Sequence, residues 1–531
     1  SAGGAGGAGV SSGITGSSIT YGAGGAGAKG NIAVTGASGA ANTGNGGGAG
    51  SAAGSASGAG GAGGSGLVVL SGSILFTQNA FSLTIKSGSG AASIGGSVSN
   101  ITALGINSKS SASTITGAIS ATSAVNFNTA SGYTGSNSTA SILMLSGTNT
   151  YSGNTTVSGG TLKAGSTTAF GGASGSVTIN DGAAIDLNGK SMANSNPLTL
   201  VGSGISSAGA LLNTSSTAAT YSGLVTLSGN ATIVGDTGSI TLSNAGTISG
   251  SGFNLILGGA SGGSVNSIIG TGAGSITKQG AGTWTLSGAN TYSGGTTISA
   301  GVLKAGSTTA FGASSGAISV ADGAALDLNG KSLANTNALT LNGSGINNSG
   351  AITNSSATAG SYSGTVTLAS ASAIGASGGA VSITGAISDA GNYGLALVGS
   401  NAITLSSATN TLSVIASGTA VGAITVLNNG ALEIGTVTVG NAYNGLDSTG
   451  NISVQTITGN LTISKSINTS SSSNTASAPA LLFAAAKNAL AGNLTYNIIL
   501  SGSPTITMGS GGIADFYTGK ASLSTGLEAF I

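Results

Sequence analysis

Apolar residues recur along most of this chain in pairs two positions apart, with one residue between them. Val177/Ile179, Ile185/Leu187, Leu198/Leu200, Val225/Leu227, Trp284/Leu286, Ile318/Val320, Leu326/Leu328 and Leu339/Leu341 all follow this spacing. Successive side chains of a β-strand point to opposite faces, so each pair reads as one short strand with two side chains turned inward. Between the pairs lie SG, DG, NG and GG dipeptides, where Gly and Asn tolerate the positive φ of a tight turn. Three such strands with their turns need about 20 residues, the size of one coil of a small solenoid. The pattern predicts an all-β chain folded as a right-handed parallel β-helix, with coils stacked about 4.8 Å apart.

The pattern is also duplicated. Residues 282–306 read GTWTLSGANTYSGGTTISAGVLKAG, and residues 145–165 read LSGTNTYSGNTTVSGGTLKAG. Tyr151 maps to Tyr292, and the same separation relates Phe170 to Phe311, Asp181 to Asp322, Asp186 to Asp327, Lys190 to Lys331 and Tyr221 to Tyr362. A fixed long period marks a repeat architecture, and at about 20 residues per coil it predicts about seven coils between equivalent aromatic positions. A weaker echo, TLSSATNTLSV, occupies residues 404–414. Asn149, Asn154, Asn180 and Asn188 fall in turns, where they read either as ladders of stacked side-chain amides or, at least as readily for each one singly, as plain turn residues.

Composition narrows the class further. The 531 residues include 100 Gly but only 3 Pro, and 4% are charged, which is unlike ordinary globular domains. Gly, Ser, Thr or Asn interrupts every apolar run, so no stretch reaches the roughly 18 residues of a membrane-spanning helix. There is no Cys and no His, and every basic residue is a Lys. Stability must then come from continuous backbone pairing rather than from disulfides. The start at Ser1 is consistent with removal of a signal peptide or with truncation.

Three regions are expected. Residues 1–66 are Gly/Ala/Ser-rich, and the alternations in 9–22 and 30–38 favour order over a floppy spacer. Residues 67–475 carry the β-helix with its duplication, opening on the alternating Leu67, Val69, Leu75, Phe81, Leu83 and Ile85. Residues 476–531 read as a cap or subunit-docking segment. Within it, 477–492 (SAPALLFAAAKNALAG) has a Ser N-cap, an early Pro, an Ala/Leu-rich interior and a closing Gly, and is predicted to form a buried apolar helix. Short strands are expected after it.

LSGANTYSGGTTISAGVLKAG resembles the passenger-associated repeat of autotransporters, the type V secreted surface proteins of Gram-negative bacteria. The resemblance covers two copies of about 25 residues, with weaker similarity across the surrounding duplication. It implies an extracellular β-helix, adhesive or structural, exported through an outer-membrane barrel. A barrel of the kind the family carries needs about twelve strands of about 10 residues, far more than residues 492–531 supply. The expectation is therefore a barrel cut off from this chain, or an outer-membrane exporter acting as a separate partner.

Chemistry is not expected. The lack of His and Cys excludes Ser-His-Asp and thiol catalysis. Asp186 and Asp327, one repeat apart, lie too far from each other for a glycosidase pair, which needs about 5–10 Å; Asp181 and Asp186 precede DG and DLNG turns, where a carboxylate caps backbone. The Gly-rich parts lack the regular Asp of a calcium β-roll, and no GK[ST] follows them to bind phosphate. The matches to N-x-[ST] at Asn100, Asn137 and Asn154 are expected by chance in so Ser/Thr-rich a chain. With a net charge of +1 and no Arg, nucleic acid is not an expected partner, and no cofactor, metal or small-molecule substrate is expected either. Two function classes remain: a structural protein self-associating end to end into a surface filament, sheath or biofilm matrix, and an adhesin. Low charge and small side chains favour the first. Leu481, Leu482, Phe483, Phe516, Tyr517, Phe530 and Ile531 are the candidate self-association residues.

Overall fold

The computed structural model describes residues 82–99, 101–120, 124–129, 133–134, 141–475, 478–485 and 496–518. It also places the short strands Ser11–Ile14, Ser17–Thr20, Val68–Leu70 and Ile74–Leu75. Most of the 1–66 segment, with Phe530 and Ile531, lies outside the described residues. The chain divides into two compact units, Ser1–Ser267 and Ile268–Ile531. Each is a parallel β-solenoid.

In the first unit, Ala124–Phe127, Asn154–Val157, Val177–Ile179, Leu198–Gly202 and Val225–Gly235 stack in parallel as one face. A second face runs through Ile142–Leu145, Gly160–Ala164, Ala183–Asp186 and Leu211–Asn213 to Leu255–Gly258. Ala219–Tyr221, Ile240–Leu242 and Gly262–Val265 belong to a third. The apolar spacing explains the stacking: Leu143, Leu162, Ile185, Leu211, Ile233 and Leu257 are register partners in turn, and each is fully buried. Each rung contributes about 1.5–3 kcal/mol of burial. Outward positions of the first face hold Thr156, Thr178, Thr199 and Thr226, whose β-branched side chains suit a pleated surface without charge.

The second unit repeats the design. Trp284, Leu303, Leu326, Ile352, Ile374 and Leu397 form the matching inward ladder, all fully buried. Successive coils stack about 22 residues apart, as in the register pairs Thr155 with Val177 and, one duplication on, Thr296 with Ile318. The two copies also share their irregularities, since the coil from Leu198 to Val225 is stretched and so is its counterpart from Leu339 to Val366. Coils are thus longer than the expected solenoid turn of about 20 residues, and the period of the duplication holds between six and seven of them rather than seven.

The expected helix is absent where the chain is described. Residues Leu481–Ala484 form a strand, paired in parallel with Ile452–Thr456 on one side and Ala514–Tyr517 on the other. Ala/Leu richness is a weak helical preference, and the exposed edge of a growing stack overrides it because Leu481 and Phe483 fit the inward period of two. Residues 486–495 lie outside the described part. Among the described residues, helical backbone is confined to the 3-10 turns Ile205–Ser207 and Ile346–Asn348.

Among the described residues two antiparallel pairs break the parallel pattern of the second unit: the short Asn474–Thr475 with Ala478–Pro479, and a longer excursion. Thr436–Val439 and Asn441–Asn444 form an antiparallel hairpin, whose Val437, Val439 and Tyr443 pack on Ala373, Ala396, Val398 and Ala416. Ala373 stands where the first copy has Thr232, and the smaller side chain leaves room for the hairpin. At its tip, a Cβ on Gly440 (φ 65°) would meet the Asn348 side chain, so only glycine permits this approach.

Candidate functional site

The residues that define the duplicated motif are turned into the solenoid. Asn149 is buried at a turn, where its Oδ1 accepts the Ile119 N–H at 2.9 Å and its Nδ2 donates to the Ala169 carbonyl at 2.8 Å. Asn290 does the same between Ile269 and Ala310. One amide thereby satisfies backbone groups of the coils on either side, which a buried turn requires. Asn154 accepts from the Ser176 N–H, Asn180 donates to Ser158 Oγ, and Asn188 donates to the Ala164 carbonyl. These four asparagines bind backbone or hydroxyl groups of neighbouring coils, which is the turn-residue reading rather than the amide ladder.

The motif tyrosines are equally committed. Tyr151 and Tyr292 are fully buried, each with its hydroxyl 2.7 Å from the threonine four residues on, Thr155 or Thr296. Tyr221 and Tyr362 donate to the carbonyls of Asn196 and Asn337. Burial pushes all four phenols well above their ordinary range, and for Tyr151 and Tyr292 the threonine bond opposes it only in part. Phe170 and Phe311 are buried beside them. The equivalence expected from the duplication therefore holds within each unit, down to the same hydrogen bonds.

A charged tie accompanies each copy. Lys163 and Asp186 are register partners on adjacent coils, with Nζ 3.0 Å from Oδ2; the duplicated Lys304 and Asp327 lie 3.5 Å apart. Asp186 also accepts the N–H of Asn188 at 2.8 Å, and both the N–H (3.1 Å) and hydroxyl (2.6 Å) of Thr214. Asp327 accepts from Asn329 and from the N–H and hydroxyl of Ser355 in the same way. Lys, Asp and the hydroxyl residue come from three successive coils, so the group pins them together. Capping by Asp was legible in the DLNG turn; the lysine and hydroxyl were not, because finding them needs the true coil length. Asp327→Ala strands a buried pair of N–H groups and an ammonium, and is expected to lower stability by about 3 kcal/mol in chemical denaturation. Lys304→Ala, whose side chain is part-exposed, is expected to cost no more than about 1 kcal/mol.

Lys278 is a further buried ion that sequence reasoning missed. It is paired in register with Ile298, as Phe127 is with Val157 in the first unit, so a lysine fills an apolar inward place. Its ammonium donates to the carbonyls of Gln279 (3.0 Å), Gly280 (2.7 Å) and Ala300 (2.9 Å). Burial pushes its pKa down to about 8.

The structure separates the self-association candidates. Val426, Val454, Phe483 and Phe516 are successive inward rungs, and the two rings meet edge to face at 5.8 Å. Leu481 and Phe483 are fully buried, so they are core positions rather than surface. Leu482 points outward and is half-buried, Phe516 is half-buried, and Tyr517 is 59% exposed.

Among the described residues no group of three or more His, Cys, Asp or Glu is placed to hold a metal ion, and no helix is long and apolar enough to cross a membrane. No curated protein and no solved structure matches the chain. A family model described as the passenger-associated-transport-repeat matches residues 140–164 and 276–305, the segments that carry the buried Asn, Tyr and Thr of each copy. The chain is thus a parallel β-solenoid in which two segments match the passenger-associated-transport-repeat model, and it fits an autotransporter passenger domain.

Proposed function

We propose that this solenoid is a non-enzymatic, extracellular structural passenger whose copies associate end to end into a surface filament, sheath or biofilm matrix. The repeat family suggests a secreted or cell-surface location in Gram-negative bacteria. The observation that supports self-association is the last described strand of its stack. Ala514–Tyr517 pairs with Leu481–Ala484 along one edge and carries Tyr517 exposed and Phe516 half-buried, where the rungs preceding Phe516 (Val426, Val454 and Phe483) are buried. Aromatic side chains on the last described strand of a β-stack, beside the single carboxylate of Asp515, are the kind of surface on which a further strand-bearing copy docks. Tyr517→Lys and Tyr517→Glu place a charge there from an exposed position and leave the Phe516–Phe483 ring contact intact. Wild-type protein is expected to sediment as concentration-dependent polymers and to show fibres in negative stain, and both variants to stay monomeric with unchanged β-sheet circular dichroism. Wild type that remains monomeric at high concentration, or variants that polymerise as readily, would sink the proposal. The adhesin reading rests on the Thr436–Asn444 excursion, where the otherwise uniform surface is elaborated.

A further inference from the structure

Asparagine followed by glycine is the dipeptide most open to self-modification, because glycine has no side chain to keep its backbone nitrogen from the asparagine Cγ. Five such pairs lie among the described residues: Asn188-Gly189, Asn329-Gly330, Asn342-Gly343, Asn429-Gly430 and Asn444-Gly445. In four of them the glycine N–H is held. Gly189 donates to Asn213 Oδ1 at 2.9 Å, Gly330 to Asn354 Oδ1 at 2.8 Å, Gly343 to Ser370 Oγ at 3.2 Å and Gly445 to the Gly435 carbonyl at 2.8 Å. A backbone nitrogen attacks only after losing its proton, and each of these bonds opposes that loss.

Gly430 is the exception. Its N–H has no partner among the described residues, its φ is 108°, and a Cβ built there would meet nothing within 4 Å. Asn429 is half-buried at the turn that follows Ile424–Asn428, and its Oδ1 accepts the Thr458 hydroxyl at 2.9 Å. That bond polarises the Cγ carbonyl and is placed to hold the oxyanion that attack would create. Asn444 is a built-in comparison, since its Oδ1 takes the Thr436 hydroxyl at 2.8 Å. There the glycine is packed: a Cβ on Gly445 would run into the Ser466 carbonyl, and its N–H is bonded. The two sites share the activated amide and differ in the nucleophile.

We propose that Asn429 is a self-modification site, deamidating in the folded protein ahead of the other described Asn-Gly pairs, with the Thr458 hydroxyl assisting. The deprotonated Gly430 nitrogen adds to Asn429 Cγ, the bond from Cγ to Nδ2 breaks, and the amide nitrogen departs as ammonia, leaving a succinimide. Water then opens the ring at either carbonyl and gives aspartate or isoaspartate. Nothing is oxidised or reduced. The new carboxylate cancels the formal net charge of +1. The isoaspartate form also lengthens the backbone between Ile424–Asn428 and Leu432–Ile434, so the stack loosens there with age. The reaction needs no second copy and is independent of end-to-end association.

The test ages the full chain at neutral pH and maps its peptic peptides by mass, following the gain that comes from replacing the amide NH2 by OH. Asn429 is expected to convert at least about tenfold faster than Asn444, the factor supplied by a hydrogen bond that must first open locally. In denaturant the five pairs are expected to react at similar rates. Thr458→Val is expected to slow Asn429 about threefold, because water replaces an exposed donor only in part. On ion exchange, aged wild type is expected to gain a species that elutes with Asn429→Asp, and Asn429→Gln, whose ring closes less readily, is expected to gain none. Asn429 converting no faster than Asn444 in the folded chain overturns the proposal. So does Asn429→Gln acquiring the same acidic species, or Thr458→Val converting as fast as wild type.

Discussion

Alkaline titration is expected to unfold this protein cooperatively once the pH passes the ordinary tyrosine value of 10.0, rather than merely ionise its phenols. Tyr151, Tyr221, Tyr292 and Tyr362 are buried, and burial holds their folded-state values well above that of the unfolded chain. Above pH 10 the unfolded chain releases these four protons while the folded chain keeps them. The folded state then binds more protons, so stability falls as pH rises. Each phenol removes about 1.4 kcal/mol per pH unit, so four together remove roughly 5–6 kcal/mol per unit. That exhausts a typical stability of about 5–15 kcal/mol within roughly one to three units. The check is to follow phenolate absorbance and β-sheet circular dichroism together. Of the 10 tyrosines, Tyr151, Tyr221, Tyr292 and Tyr362 are expected to ionise only as the β signal collapses, and Tyr221→Phe with Tyr362→Phe is expected to make the stability decline about half as steep. Ionisation of all ten near pH 10 with the β signal intact would contradict this account.

The second large effect is expected at Trp284. It is the sole tryptophan, fully buried in register against Leu303. Trp284→Ala removes the largest side chain of the second unit's ladder and leaves a cavity between coils that cannot collapse, because backbone pairing fixes their spacing. The expected loss is about 3–5 kcal/mol. The duplication supplies its own control. The matching position in the first copy is Leu143, also fully buried and also in register with a leucine, Leu162. Trp284→Leu is therefore expected to cost less than half as much as Trp284→Ala in denaturant titration. Equal losses for the two would mean that the ladder does not treat the copies as equivalent.

Much of the architecture was legible because it depends on local chemistry. Pairs such as Val177/Ile179 and Ile318/Val320 sit inward as strands, and DLNG places Asp186 and Asp327 as turn caps. The passenger-type repeat was legible for the same reason: its Asn, Tyr and Thr each have one internal task, and the tasks recur with the motif. Coil length is not legible in this way. The period from Tyr151 to Tyr292 accommodates a shorter coil as plausibly as the observed one, and nothing local to a turn reports which residue lies one coil above it. Lys163 with Asp186, and Lys278 with the Ala300 carbonyl, are neighbours only through that stacking distance.

The sequence by itself determined the alternation, the turns and the duplication, because side-chain periodicity and glycine tolerance act over a few residues. Tertiary structure alone decided three further things. Leu481–Ala484 became a strand because the edge of Ile452–Thr456 was there to receive it. The hairpin at Thr436–Asn444 became a cover because coils far apart in sequence put Ala373, Ala396 and Ala416 on one outer patch. Lys278 became a satisfied buried ammonium because the Ala300 carbonyl lies one coil on. Each depends on what lies one coil away, and that distance is set by the hydrogen-bonded stack as a whole rather than by any single stretch of residues.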